Sequence, residues 1–236
     1  IMSAPILVTG AGKRLGLALA KHMLSNDIPV ICTYRTMRDG IDELSKLGAI
    51  VYQCDFYDQH SIDSLIKILQ DKHASLRAII HNASDWMADD PSKAAFNIDR
   101  MLKVHVSAPY QLNMALKTLL ERGAAPHADI IHISDYVAHK GSKKHIAYAA
   151  SKAALENMGL SFAASFAPTI KVNSIAPALM LFNEQDTNDY KKKATAKALI
   201  AHEGGTEEFT KAIDFLLNST YITGETIRLN GGRHLK

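Results

Sequence analysis

The stretch Thr9-Gly10-Ala11-Gly12-Lys13-Arg14-Leu15-Gly16 constrains this chain more than any other. It joins a short apolar run, Ile6-Leu7-Val8, to an amphipathic segment from about Leu15 to Leu24. A buried strand that runs into a turn and then a helix is expected. Gly10 allows the tight turn, Gly12 lets backbone approach a pyrophosphate, and Gly16 permits close packing of helix on strand. The helix N-terminus then offers free N–H groups and a partial positive charge to phosphates. A tight strand-to-helix turn with no ligand is the other reading of the same glycines.

The alternation continues along the chain. Strands are expected at Val30–Tyr34, Ile50–Cys54, Ala78–Ile80, Ile130–Ile133 and Ile170–Asn173. Helices are expected near Ile41–Leu47, Ser61–Gln70, Ser92–Leu120 and Ile146–Phe166. Right-handed βαβ crossovers then give an α/β fold, a Rossmann-type doubly wound parallel sheet of about seven strands with helices on both faces. With 236 residues and no internal repeat or linker, one domain over residues 1–236 is expected. The segment from Ala178 to Gly205 breaks the rhythm and follows a strand end, where ligands of open α/β sheets sit. It reads as a substrate lid or as an ordinary surface excursion.

Composition removes other classes. No apolar run approaches the roughly 20 residues of a membrane-spanning helix, and Ile1 to Pro5 lack the regions of a signal peptide. Cys32 and Cys54 have neither metal-ligand nor disulfide spacing. A cytoplasmic protein that does not bind membranes is expected. The net charge of +3 is dispersed, and Lys191-Lys192-Lys193 has no interleaved aromatics, so nucleic acid is not expected as a partner. The 11 histidines show no paired metal-ligand spacing, and no metal is expected.

The second strand ends in Tyr34-Arg35-Thr36, where an NAD-preferring site would carry an acidic residue for the ribose hydroxyl. Arg35 suits a 2′-phosphate instead, so NADPH is the expected cofactor. Asp55, followed by Phe56, is placed to accept from the adenine amino group. At the other end of the chain, Tyr148 and Lys152 stand four apart at the start of a helix, one turn apart on one face. A neighbouring ammonium is expected to lower the phenol pKa toward a range useful for proton transfer.

TGAGKRLG, HNAS (81–84), YAASK (148–152) and NSIAP (173–177), in this order, resemble the short-chain dehydrogenase/reductase family over essentially the whole chain. The resemblance implies that Tyr148 donates a proton and that Lys152 holds the nicotinamide ribose. Asn82 is expected along the cofactor, and hydride is expected to leave the nicotinamide ring. Gly10, Lys13, Arg14, Leu15 and Gly16, then Ala83, Ser84, Tyr148, Lys152 and Pro177, join Tyr34, Arg35, Thr36, Asp55, Phe56 and Asn82 as expected cofactor contacts.

The departures from the family pattern narrow the chemistry. The serine usual thirteen residues before the tyrosine is Asp135, and Arg14 replaces the middle glycine of TGxxxGxG. A carboxylate repels an alkoxide-like oxygen but accepts from amino and ring N–H groups, or relays a proton if its pKa is raised. The alternative is that Asp135 is a turn residue and Ser134 takes the catalytic role. Arg14, Asp135, Tyr148 and Lys152 together resemble the pteridine reductase branch. This places Arg14, Ser84, Trp86, Asp135 and Tyr148 against the substrate, with Trp86 stacked on a flat pterin; an ordinary partly buried tryptophan is the other reading.

HNASDWMA, SDYVAHKGSKKHIAYAASKAAL, NSIAPALMLFNEQD and the terminal GGRHLK are similar to a bacterial group within that branch. That similarity implies NADPH-dependent reduction of a 7,8-dihydropterin to its tetrahydro form, a weaker dihydrofolate activity and a homotetramer. Where the family often carries a helix asparagine, this chain has Val104-His105-Val106. His105 either replaces that asparagine through water or is a satisfied core histidine. Two competing functions keep the fold: a carbonyl (oxoacyl or sugar) reductase, and an NADPH-binding regulator without catalysis.

Overall fold

Successive side chains of a strand point to opposite faces, so a strand covered by helices on both sides must be apolar throughout. The central strands are buried and mostly apolar, with buried polar residues such as His81, Asp129 and His132 as exceptions. In the computed structural model, which describes residues 4–236, seven parallel strands form one sheet in the order β3-β2-β1-β4-β5-β6-β7. They are β1 (Ile6–Val8), β2 (Val30–Tyr34), β3 (Ile50–Gln53), β4 (Ala78–His81), β5 (Ala128–Ile133), β6 (Ile170–Pro177) and β7 (Thr226–Leu229). The reading of Ile1, Met2 and Ser3 lies outside the described residues.

Leu7, Ile31, Ile79, Ile130 and Val172 face one buried cluster. It is completed by α3 (Gln59–Lys72), α5 (Ala108–Gly123) and α7 (Ile146–Phe166) through Leu65, Leu112, Leu116 and Phe162. Ile6, Val8, Ile80, Ile131 and Ile175 face the other. There α1 (Arg14–Ser25), α2 (Asp39–Lys46) and α9 (Gly205–Asn218) contribute Leu19, Met23, Ile41, Phe209 and Ile213. At the amino ends of the strands, fully buried Asp129 of β5 pairs with Arg77 at 2.5 Å and with Lys171 of β6 at 2.9 Å.

The helix expected over Ser92–Leu120 is divided. A 3-10 turn (Pro91–Lys93) leads into α4 (Ala94–Leu102), then a π turn at Lys103–Ser107, then α5. Pro109 has no N–H to give the carbonyl of residue 105, so an unbroken α ladder cannot run through this point. The widened turn leaves His105 buried, 1% exposed. β6 extends through Ile175-Ala176-Pro177, and β7, α9 and the short α6 (Val137–Lys140) were not among the expected elements.

Residues 178–205 leave the carboxyl end of β6 and contain α8 (Asn188–Thr195). Their two ends close on each other, because Gly204 N donates to Leu179 O and Gly205 N to Met180 O.

Candidate active site

The sheet reverses direction of winding between β1 and β4, and there the carboxyl ends of the strands open a crevice. Thr9 stitches the two sides: its Oγ1 accepts from Asn82 N (3.1 Å) and Ala83 N (3.0 Å). Asn82 Nδ2 donates to Thr9 O and Gly10 O at 3.1 and 3.0 Å. Asn82 thus holds the glycine turn itself, a use the sequence reading missed. A Cβ on Gly10, at φ +67°, would stand 2.7 Å from Ala83 Cα, and one on Gly16 would stand 2.4 Å from Asn82 Nδ2. Close approach demands both glycines, and at Gly10 the left-handed backbone demands it as well.

A cleft of about 670 Å³ runs along these strand ends. Every residue expected to touch cofactor or substrate lines it, from Gly10, Lys13, Arg14, Leu15 and Gly16 through Tyr34, Arg35, Thr36, Asp55, Phe56, Asn82, Ala83, Ser84 and Trp86 to Asp135, Tyr148, Lys152 and Pro177. The start of α1 has no side-chain cap and no acidic residue in its first turn, which leaves its N–H groups open to an anion. Arg35 stands 3.8 Å from Asp85, and Arg38 lines the same end as a second cation. A dinucleotide bearing an extra phosphate fits this donor set. The second arginine in TYRTMRDG was a legible signal that the sequence reading passed over.

Arg14 has φ +53°, in the left-handed region where the family pattern has glycine. Its guanidinium reaches across the cleft to residues 178–205, donating to Asn183 Oδ1 at 2.6 Å and Leu181 O at 3.0 Å. The residue expected to meet phosphate and substrate is, in this structure, also the tie to that segment.

At the reactive end, Tyr148 OH donates to Asp135 Oδ2 at 3.0 Å. Asp135 Oδ1 accepts from Val137 N at 3.0 Å, so the residue both starts α6 and meets the tyrosine. Ser134 instead donates to Glu156 Oε1 at 2.5 Å, and His139 pairs with the other oxygen of Glu156 at 2.7 Å. Lys152 is buried and donates to Ile133 O at 2.8 Å, with its ammonium 5.7 Å from the Tyr148 ring centre.

Burial pushes Lys152 down to about 8, against the pull of Asp135 and Glu156. Burial, and then the neighbouring Asp135, raises the Tyr148 phenol well above its ordinary value. The lowering expected from Lys152 is therefore corrected: the buried phenol faces a carboxylate and keeps its proton at neutral pH. Burial likewise raises Asp135, despite its bonds to Val137 N and Tyr148 and the charges of Lys152 and Arg233.

Trp86 lines the cleft and is 62% exposed, but one face is already stacked on His145, with ring centres 4.2 Å apart and planes at 28°. A flat ligand would have the other face. The same loop caps α7, because Asp89 accepts from Ile146 N (2.5 Å) and Ala147 N (3.2 Å). Ser84 accompanies it at the cleft wall, 2.7 Å from His105 Nε2. Among the described residues, no cluster of metal-ligating side chains occurs and no helix is long and apolar enough to cross a membrane.

Comparison with known proteins agrees with this geometry. A family model described as enoyl-(acyl carrier protein) reductase matches residues 10–234. The chain is 49% identical to dihydromonapterin reductase of Klebsiella pneumoniae subsp. pneumoniae over 233 residues, covering 98% of this chain and 97% of that protein. It is 48% identical to dihydromonapterin reductase of Escherichia coli O6:H1 over 236 residues, covering 99% and 98%. Among solved structures, FolM alternative dihydrofolate reductase 1 from Brucella suis in complex with NADP superposes with a TM-score of 0.89 at 26% identity, covering all of this chain and 97% of that one.

Proposed function

Because the chain belongs to the short-chain dehydrogenase/reductase family, we propose that it reduces the C6=N5 bond of 7,8-dihydromonapterin, or a related dihydropterin, with NADPH. The observation that carries this reading is Asp135 at 3.0 Å from Tyr148 OH, in the place of an oxyanion-binding serine. A carboxylate there disfavours an oxygen gaining negative charge and favours a ligand that presents N–H donors. Its support from relatives is the pair of dihydromonapterin reductases that this chain matches over nearly its full length.

NADPH, when bound, supplies the hydride. The open N–H groups of α1 hold its pyrophosphate, Arg35 and Arg38 take the 2′-phosphate, and Lys152 orients the nicotinamide ribose. Tyr148, kept neutral by burial, or a water ordered near it supplies the proton to N5. Asp135 accepts from the pterin amino and ring N–H groups, Arg14 and Ser84 add polar contacts, and the free face of Trp86 stacks on the ring. Residues 178–205 act as the substrate lid, closed from the cofactor side by Arg14. The same reading carries a weak dihydrofolate activity, a cytoplasmic location, one domain over residues 1–236 and a homotetramer, the last open to light scattering.

The test is NADPH consumption with 7,8-dihydromonapterin, dihydrobiopterin and dihydrofolate, in wild type, Tyr148→Phe and Asp135→Ser. Fastest turnover of dihydromonapterin, lost in both variants, supports the mechanism. Turnover of ketones with no pterin activity would move the assignment to a carbonyl reductase, and nucleotide binding without any turnover to a regulator.

A further inference from the structure

His105 sits at the centre of a chain of hydrogen bonds whose direction can be worked out from its ends. Ser151, fully buried in α7, has its Oγ 2.7 Å from Tyr148 O and 2.8 Å from His105 Nδ1. A carbonyl oxygen has no proton to give, so the Ser151 hydroxyl donates to it. That uses the only proton of Ser151, and His105 Nδ1 must carry the hydrogen between them. Burial and the nearby Lys152 charge hold the imidazole neutral, which leaves Nε2 bare. The Ser84 hydroxyl, 2.7 Å away, therefore donates to Nε2. Two contacts compete for that proton: Asp85 O, at 3.4 Å, is too far to draw it away, and the Tyr148 hydroxyl oxygen beside Ser84 is a weaker acceptor than a bare imidazole nitrogen.

We infer that His105 is a positioning residue, fixed as the Nδ1–H tautomer by Ser151, which commits the Ser84 proton inward and presents Ser84 to the cleft solely as a hydrogen-bond acceptor. A serine at a reductase wall can ordinarily turn its hydroxyl to suit a carbonyl or an amine; this one cannot. Ser84 and the Asp135 carboxylate then set two acceptors along one cleft, and the ligand that satisfies both must present N–H donors. An aminopterin ring does so, and a simple ketone does not. The π turn supplies the geometry: it inserts His105 between the cleft wall and α7, edge-on to the Tyr148 ring at 5.4 Å. Such turns recur at functional sites.

The inference rests on the pterin reading for its kinetic arm only. Imidazole ¹⁵N NMR of histidine-labelled protein, with His105 assigned by its loss in His105→Gln, reads the tautomer directly. The expected result is a protonated Nδ1 and a bare Nε2 throughout neutral pH; a proton on Nε2, in either a neutral or a cationic ring, overturns the proposal whatever the substrate. For the kinetic arm, an asparagine amide falls near Nδ1 and a glutamine amide near Nε2. Ser84→Ala and His105→Asn are expected to raise KM for the dihydropterin about tenfold, with kcat falling by less. His105→Gln, which can still accept from Ser84, restores KM toward wild type. The Ser84→Ala/His105→Asn double variant is no worse than either single change. Additive losses, or equal failure of the glutamine and asparagine variants, would sink the role through Ser84. If the wild type turns over no dihydropterin, the functional reading fails while the NMR arm still decides the hydrogen-bond direction.

Discussion

Tyr148 and Lys152 show how burial reshapes groups whose spacing alone suggests a simpler pairing. The phenol keeps its proton because desolvation and Asp135 both oppose ionisation. Tyr148→Phe is expected to lower kcat by roughly 10²–10⁴-fold while leaving NADPH affinity nearly unchanged, measured by single-turnover kinetics and cofactor fluorescence. Lys152, pushed down to about 8, loses its charge on the alkaline side of neutrality. The pH profile of kcat/KM in the free enzyme is therefore expected to fall above about pH 8. The effect on stability has the opposite sign. Below about pH 8 the folded chain carries a buried ammonium at a cost, and that cost is relieved as pH rises through about 8 toward the ordinary lysine value near 10.5. Denaturant titrations of wild type and Lys152→Met across that window isolate it: wild type gains stability relative to the variant as the ammonium discharges.

Elements decide which of these residues meet. The turn after β1 is governed by two glycines, and Gly16→Ala drives a methyl against Asn82 Nδ2 and Gly10 O. A loss of about 1–3 kcal/mol is expected, read by chemical denaturation, together with weaker cofactor binding. Arg14→Gly tests the opposite case. It relieves a left-handed arginine while cutting the bonds to Leu181 and Asn183. Stability should change little, while hydrogen exchange around residues 181–183 accelerates and KM for the dihydropterin rises. At this scale the first six strands and the long helices between them were legible from apolar runs and glycine turns, whereas α9 went unread although its apolar period repeats. The sequence was illegible where one residue interrupts a period. Pro109 divides a helix that the pattern runs through, and β7 is four residues long with Arg228 within it. Most of the side chains around the cleft could be read from motifs, at strand ends or, for Tyr148 and Lys152, at the start of α7, while Arg38 was passed over. Their bonding could not, because Arg14 to Asn183, Asp89 to the start of α7 and Ser84 to His105 are contacts between segments with no local signature.

Across the whole molecule, the two edges of the parallel sheet do different work. The carboxyl edge carries the cleft, and the amino edge carries Asp129 with Arg77 and Lys171. Asp129→Ala leaves two cations without their buried counter-ion and is expected to cost about 3–5 kcal/mol, measurable by urea unfolding. NADPH binding to the folded fraction that remains should be unaltered, because no residue of the ion cluster reaches the cleft.

That division bears on how such a chain can diverge. Since the clamp and the cleft share no side chain, drift at the strand tips draws on a reserve of fold integrity that it does not itself erode. A library confined to residues 178–187 and the loop carrying Ser84 and Trp86 should therefore yield soluble variants with altered ligand preference, whereas a library of the same size at the opposite rim should yield mostly insoluble ones.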